Sequence, residues 1–121
     1  MSLRILPGLD VQFAPIVASN SGATQIVAAI TGTGGLNLSF SIRVVSLQWV
    51  ANAAVNVKWQ SHVLPTDLTG LCYAAQNGGI VLPYNPVGWF QTLPGEGLDI
   101  NLSGSVAVGG CLSYVAVPAG L

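Results

Sequence analysis

Apolar and polar positions alternate along most of this chain with a period of two, and no window shows a capped helical period. The alternation is clearest from Ala54 to Ser61, where Val55, Val57 and Trp59 face one way and Asn56, Lys58 and Gln60 the other. That pattern predicts a half-buried antiparallel strand. Leu98 to Leu102 alternates in the same way, which places Asp99 on a solvated polar face. Ser41 to Ala51 is the longest candidate strand. One of its faces carries Arg43, Val45, Leu47 and Trp49, and the other Ile42, Val44, Ser46, Gln48 and Val50. Apolar residues on both faces suit a central strand or one covered by a partner. Thr24–Ile30, Leu68–Ala74, Ile80–Leu82, Gly88–Thr92 and Val106–Val117 complete the set, and Gly109-Gly110 predicts a turn or bulge inside the last.

Turn signals separate these segments: Thr31-Gly32-Thr33-Gly34-Gly35, Asn52-Ala53-Ala54, Asn77-Gly78-Gly79, Pro83-Tyr84-Asn85-Pro86 and Pro94-Gly95-Glu96-Gly97. Short strands with turns every ~8–12 residues are the signature of a sandwich or barrel. The prediction is a single all-β domain, a jelly-roll-like β-sandwich over residues 22–121. Residues 1–21 read instead as an extended N-terminal arm. Pro7-Gly8 and Ala14-Pro15 break its regularity, and Ser19-Asn20-Ser21-Gly22 turns the chain. The arm nonetheless carries Leu3, Ile5, Leu6, Leu9, Val11 and Phe13. Apolar residues on an irregular segment predict that it lies on another surface, and these six are the expected contacts with a neighbouring subunit or another partner.

Composition sharpens this picture. Of 121 residues, 3 are Lys or Arg and 4 are Asp or Glu, so charged residues make up 6% against a usual value of about 25%. A soluble monomer relies on surface charge to stay apart from its neighbours. A chain that is 51% hydrophobic with so few charges is expected to cover much of its surface in an assembly. A membrane span is not expected, because Gly, Pro, Asn, Ser and Thr interrupt every long uncharged stretch before roughly 20 apolar residues accumulate. Pro7, Gly8 and Asp10 likewise interrupt any secretory h-region after Met1. Nucleic-acid binding is not expected either, since Arg4, Arg43 and Lys58 are scattered rather than clustered.

Candidate chemistry is sparse. His62 is the only histidine and would have to serve as base in any triad with Asp67 or Asp99, but no Gly-x-Ser-x-Gly elbow accompanies it. A polar residue at the end of its strand is the simpler reading. Asp99 and Glu96 are too few for Ca²⁺, which takes six to eight oxygen ligands. Cys72 and Cys111 have no Cys-x-x-Cys spacing. They read as two buried thiols, or as a pair if they face each other on neighbouring strands. No cofactor or metal is expected, and no enzymatic activity. Tyr84, Trp89 and Trp49 are candidate sugar platforms, against the alternative that the aromatic residues pack in the core or between subunits.

Several blocks carry a family resemblance. They are Asn77-Gly78-Gly79-Ile80-Val81-Leu82-Pro83-Tyr84-Asn85-Pro86-Val87-Gly88-Trp89-Phe90, Gly95-Glu96-Gly97-Leu98 with Asn101-Leu102-Ser103-Gly104, and Val106-Ala107-Val108-Gly109-Gly110 with Leu112-Ser113-Tyr114-Val115. Upstream, Gln25-Ile26-Val27-Ala28-Ala29, Asn52-Ala53-Ala54-Val55-Asn56-Val57-Lys58 and Leu68-Thr69-Gly70 join them. Over residues 24–117 the chain resembles a small protein common in tailed-phage genomes, similar to jelly-roll head-decoration, or cement, proteins. The arm lies outside the matched region, and Thr33 to Ser41 departs from the compact connection expected there. The resemblance implies a virion protein made in the host cytoplasm, a homotrimer on the outer capsid surface with the major capsid protein as partner, and no catalytic residues. A second expectation is a carbohydrate- or receptor-binding tip domain of a tail fibre.

Overall fold

The structure is a computed structural model that describes residues 11–30, 39–63 and 65–118. Ten strands, and no helix among the described residues, form two antiparallel sheets. In chain order they are β1 (Gln12–Ala18), β2 (Gly22–Val27), β3 (Phe40–Ala51), β4 (Val55–Ser61), β5 (Thr66–Asp67), β6 (Cys72–Ala74), β7 (Gly79–Leu82), β8 (Phe90–Gln91), β9 (Leu98–Leu102) and β10 (Val108–Pro118). The first sheet runs β1-β10-β3-β7, with β8 also on β3; the second runs β2-β9-β4-β5, with β6 also on β4. The chain is therefore an all-β sandwich.

The core lies between the sheets. From the first come Ile16, Ile42, Val44, Leu47, Trp49 and Leu112; from the second come Val57, Trp59, Leu98, Ile100 and Leu102. All are sequestered because alternate residues of each strand turn inward. Trp59 is the central piece, its ring 5.9 Å from that of Phe90. Phe90 thus joins the core while its neighbour Trp89 remains exposed, as opposite directions along an extended segment require.

Three expectations are corrected here. Part of the arm assigned to residues 1–21 is a strand, since Gln12–Ala18 pairs along its whole length with β10 and sends Ala14, Ile16 and Ala18 into the core. Pro15 is tolerated because β1 is an edge strand, where a missing N–H removes nothing from the ladder. Residues 1–10, with Leu3, Ile5, Leu6 and Leu9, lie outside the described residues. Second, Gly109-Gly110 does not break β10. The irregularity falls three residues later, where Ser113 faces Ser46 and Tyr114 faces Val44, leaving Val45 as an extra residue on β3. Gly110 permits a close approach instead: a Cβ there would lie 2.0 Å from the Gln48 carbonyl oxygen.

Third, that bulge changes which residues of β3 share a face. Before it Ile42 and Val44 point inward, and after it Leu47, Trp49 and Ala51 do. Apolar residues on both nominal faces therefore reflect a switch of parity within one strand. The bulge also holds a loop. Asn85 N–H donates to the Val45 carbonyl and Trp89 N–H to the Val44 carbonyl, both at 2.8 Å, so residues 83–89 arch between β7 and β8 along the same strand. Gly88 closes this arch at φ +93°, where a Cβ would come within 2.5 Å of the Arg43 Cγ beneath it.

Candidate functional site

The two outer faces of the sandwich differ in chemistry. On the first sheet, residues not used in the core point outward in three cross-strand rows. Val17, Gly109, Val50 and Gly79 form one; Pro15, Cys111, Gln48 and Val81 the next; Phe13, Ser113 and Ser46 the third. None of these residues carries a charge. Phe13 is 80% exposed, Val17 74%, Val81 70% and Val50 54%. The polar members are neutral and partly occupied with one another, Ser46 hydroxyl with Ser113 hydroxyl and the Gln48 amide with Cys111 Sγ. A shallow groove of about 270 Å³ runs between Ser46, Gln48, Val81, Pro83 and Cys111. Isolated exposed apolar residues need no explanation, whereas a contiguous set on one flat face marks an interaction site. Arg43 stands apart from these rows, beyond the bulge, with its Nε donating to Gln91 Oε1 at 2.9 Å.

The outer face of the second sheet is polar and internally bonded. Asn101 Nδ2 donates to Gln60 Oε1 at 3.0 Å, Gln60 Nε2 donates to Asp67 Oδ1 at 2.8 Å, and Lys58 Nζ lies 3.3 Å from the same carboxylate. The Gln60 amide first, then the Lys58 ammonium, hold the Asp67 carboxyl below its ordinary range. Beside this chain His62 Nδ1 meets both oxygens of Asp99, at 2.8 and 2.9 Å. Asp99 is 5% exposed, so it is not the solvated residue that alternation implies; His62 covers it from the β4–β5 turn.

An imidazole held by a buried carboxylate is the geometry of a base and its orienting acid. Ser61, however, lies on the inward side of β4. Its hydroxyl donates to Glu96 Oε1 at 2.7 Å and accepts the Leu93 N–H at 3.1 Å. Thr92 adds to the same tie, accepting the Ile42 N–H at 2.9 Å and donating to the Glu96 carbonyl at 3.1 Å. These bonds fasten the turn before β9 to both sheets. Glu96 and Asp99 thereby occupy opposite sides of the second sheet and are not brought together. Among the described residues no group of three or more His, Cys, Asp and Glu could hold a metal ion.

Of the six arm positions, Val11 and Phe13 are described, and both are exposed; Phe13 belongs to the third row of the uncharged face. Val17 shares β1 with Phe13, whereas Val50, Val81 and Cys111 come from three other strands, and only strand register unites them with it. Cys72 is half-buried on the second sheet and Cys111 exposed on the first; both are free thiols, which corrects the reading of two buried ones. The aromatic platform is also reduced. Trp49 is 2% exposed and belongs to the core, whereas Tyr84 and Trp89 are exposed on the 83–89 loop, where Trp89 Nε1 donates to the Pro83 carbonyl at 2.9 Å. No family model, curated protein or solved structure matches the chain.

Proposed function

We propose that the protein is a non-enzymatic structural subunit of a tailed-phage virion, a capsid decoration subunit that acts as a homotrimer on the major capsid protein. The observation that carries this reading is the three uncharged rows on the outer face of the first sheet, with Phe13, Val17, Val50 and Val81 standing exposed on them. Such a face is costly to leave in water and is suited to a lasting contact with another uncharged surface. The strand order supports the jelly-roll part of the reading. If β5 with β6 and β7 with β8 each count as one station, the chain becomes eight stations in two four-stranded antiparallel sheets. The proposed contacts are Leu3, Ile5, Leu6 and Leu9 of the arm together with Val11 and Phe13. The mechanism is mechanical: apolar area is buried across capsomer boundaries, and many modest contacts add up over a repeating lattice.

The test is the mass of the purified protein by light scattering, followed by co-sedimentation with emptied, expanded capsids. The expected result is a trimer that pellets with capsids, whereas a stable monomer that stays in the supernatant would overturn the reading. A trimer that ignores capsids would favour the second reading, a receptor- or carbohydrate-binding tip domain of a tail fibre. One observation supports that alternative, the exposure of Tyr84 and Trp89 on a loop pinned to β3. Loss of glycan-array binding in Trp89→Ala, with thermal stability unchanged, would establish it.

A further inference from the structure

A sheet edge is a row of main-chain N–H and C=O groups ready to pair with another strand, and proteins commonly blunt it with charge. This chain has 3 Lys or Arg and 4 Asp or Glu in 121 residues, and β1 and β2, its two longest edge strands, carry none of them. Most of its edges are closed by geometry instead. On β3, the gap between the short strands β7 and β8 is filled by the 83–89 arch, whose Asn85 and Trp89 N–H groups donate to the Val45 and Val44 carbonyls. On β4, the gap between β6 and β5 is filled in the same way. There the Trp59 N–H donates to Thr69 Oγ1 at 3.1 Å, and its carbonyl accepts the Leu68 N–H at 2.8 Å. On β2, Ile26 is an extra residue between Gln25 and Val27, a bulge that bends the strand off a straight ladder.

That leaves β1, paired from end to end with β10 and with no described strand on its other side. Antiparallel pairs alternate between those that exchange hydrogen bonds and those that do not. Pro15 has no N–H, so its pair with Cys111 is of the second kind, and Phe13 opposite Ser113 and Val17 opposite Gly109 follow by alternation. The N–H groups of Phe13 and Val17 therefore point away from β10, and those of Ala14 and Ile16 point towards it. Between Phe13 and Val17 the outer edge has one position for a donor, and proline occupies it. A strand added there would find one of its carbonyls facing the pyrrolidine ring instead of an N–H, in the middle of its run. The core gives no reason for proline at this position, because the Pro15 side chain is exposed.

We infer that Pro15 withholds the β1 edge from a second copy of this chain, so that subunits do not join by extending the first sheet from one molecule to the next. This holds on either reading of the function. Pro15→Thr restores the N–H with a residue that suits a strand. Light scattering over a range of concentrations and a thermal melt compare it with the full-length wild type, and amide hydrogen exchange of the wild type is followed residue by residue.

The expected result is a folded Pro15→Thr whose mass rises to about twice that of the wild type, because an edge meeting its own copy makes a two-fold pair. Adding Val17→Pro moves the missing donor two residues along and should return the mass to the wild-type value, whereas adding Val17→Thr should not. In the wild type, the Phe13 and Val17 amides should exchange roughly tenfold or more faster than those of Ala14 and Ile16. A folded Pro15→Thr that keeps the wild-type mass would overturn the inference, as would a doubled mass that survives Val17→Pro. So would Phe13 and Val17 amides as protected as those of Ala14 and Ile16, since the edge would then already be paired. That last measurement is made on the wild type and stands even if Pro15→Thr does not fold.

Discussion

Asp67 shows how an exposed carboxylate can take part in structure. It accepts from Gln60 and lies beside Lys58, and both favour its ionised form. Because its folded-state value lies below the unfolded one, its contribution is fully present above the ordinary aspartate value of about 3.9 and is lost as pH falls through the lowered value. Asp67→Asn is therefore expected to melt slightly below wild type at neutral pH, with the gap closing as the solution becomes more acidic than that. Melting curves taken across the acid range check this, and a gap that stays constant would show that the carboxylate's charge is not the cause. Lys58, Gln60 and Asn101 were legible as a polar face from alternation within their strands. Their bonding to one another was not, because it depends on β9 and β5 lying on either side of β4.

At the scale of elements, β4 and β9 match their predicted bounds closely, since each keeps one parity from end to end. Longer or shorter segments fared differently. Leu68–Ala74 shrinks to Cys72–Ala74, and Gly88–Thr92 to Phe90–Gln91, because β3 and β4 each serve two short partners in succession rather than one long one. The bulge at Val45 is the device that makes β3 long enough and correctly faced for this. Deleting Val45 would restore a regular ladder with β10 and leave Ile42 and Val44 facing inward with Leu47 and Trp49, because Val44 and Leu47 would then stand two positions apart. What the deletion removes is the burial of Val45 itself and the carbonyl that accepts the Asn85 N–H, so the cost is about 2–4 kcal/mol. Urea unfolding measures it, and a far larger loss would show that the bulge is needed to face the strand. Val45→Ala, which keeps the bulge and the bond to the loop, is expected to cost less.

For the whole molecule, scarcity of charge was the strongest sign in the composition, and the fold shows where that scarcity is concentrated. Association through the uncharged face is expected to respond little to ionic strength, because no exposed charges are there to be screened, and to show a negative heat-capacity change. Calorimetry of capsid binding at low and high salt tests both, and affinity that falls steeply with salt would point to a charged contact elsewhere. The class of fold, the inward set of the regular strands and the expectation of a surface in need of cover all follow from the order of residues, because a period of two and a lack of charge are properties that neighbouring residues carry. The exposed apolar rows are another matter. Phe13, Val17, Val50, Val81 and Cys111 are spread over most of the chain and become neighbours only when β1, β10, β3 and β7 pair in that order. The pairing of His62 with Asp99 and the bulge at Val45 belong with it, since each depends on which strands lie side by side and in what register, and a linear pattern holds no record of either.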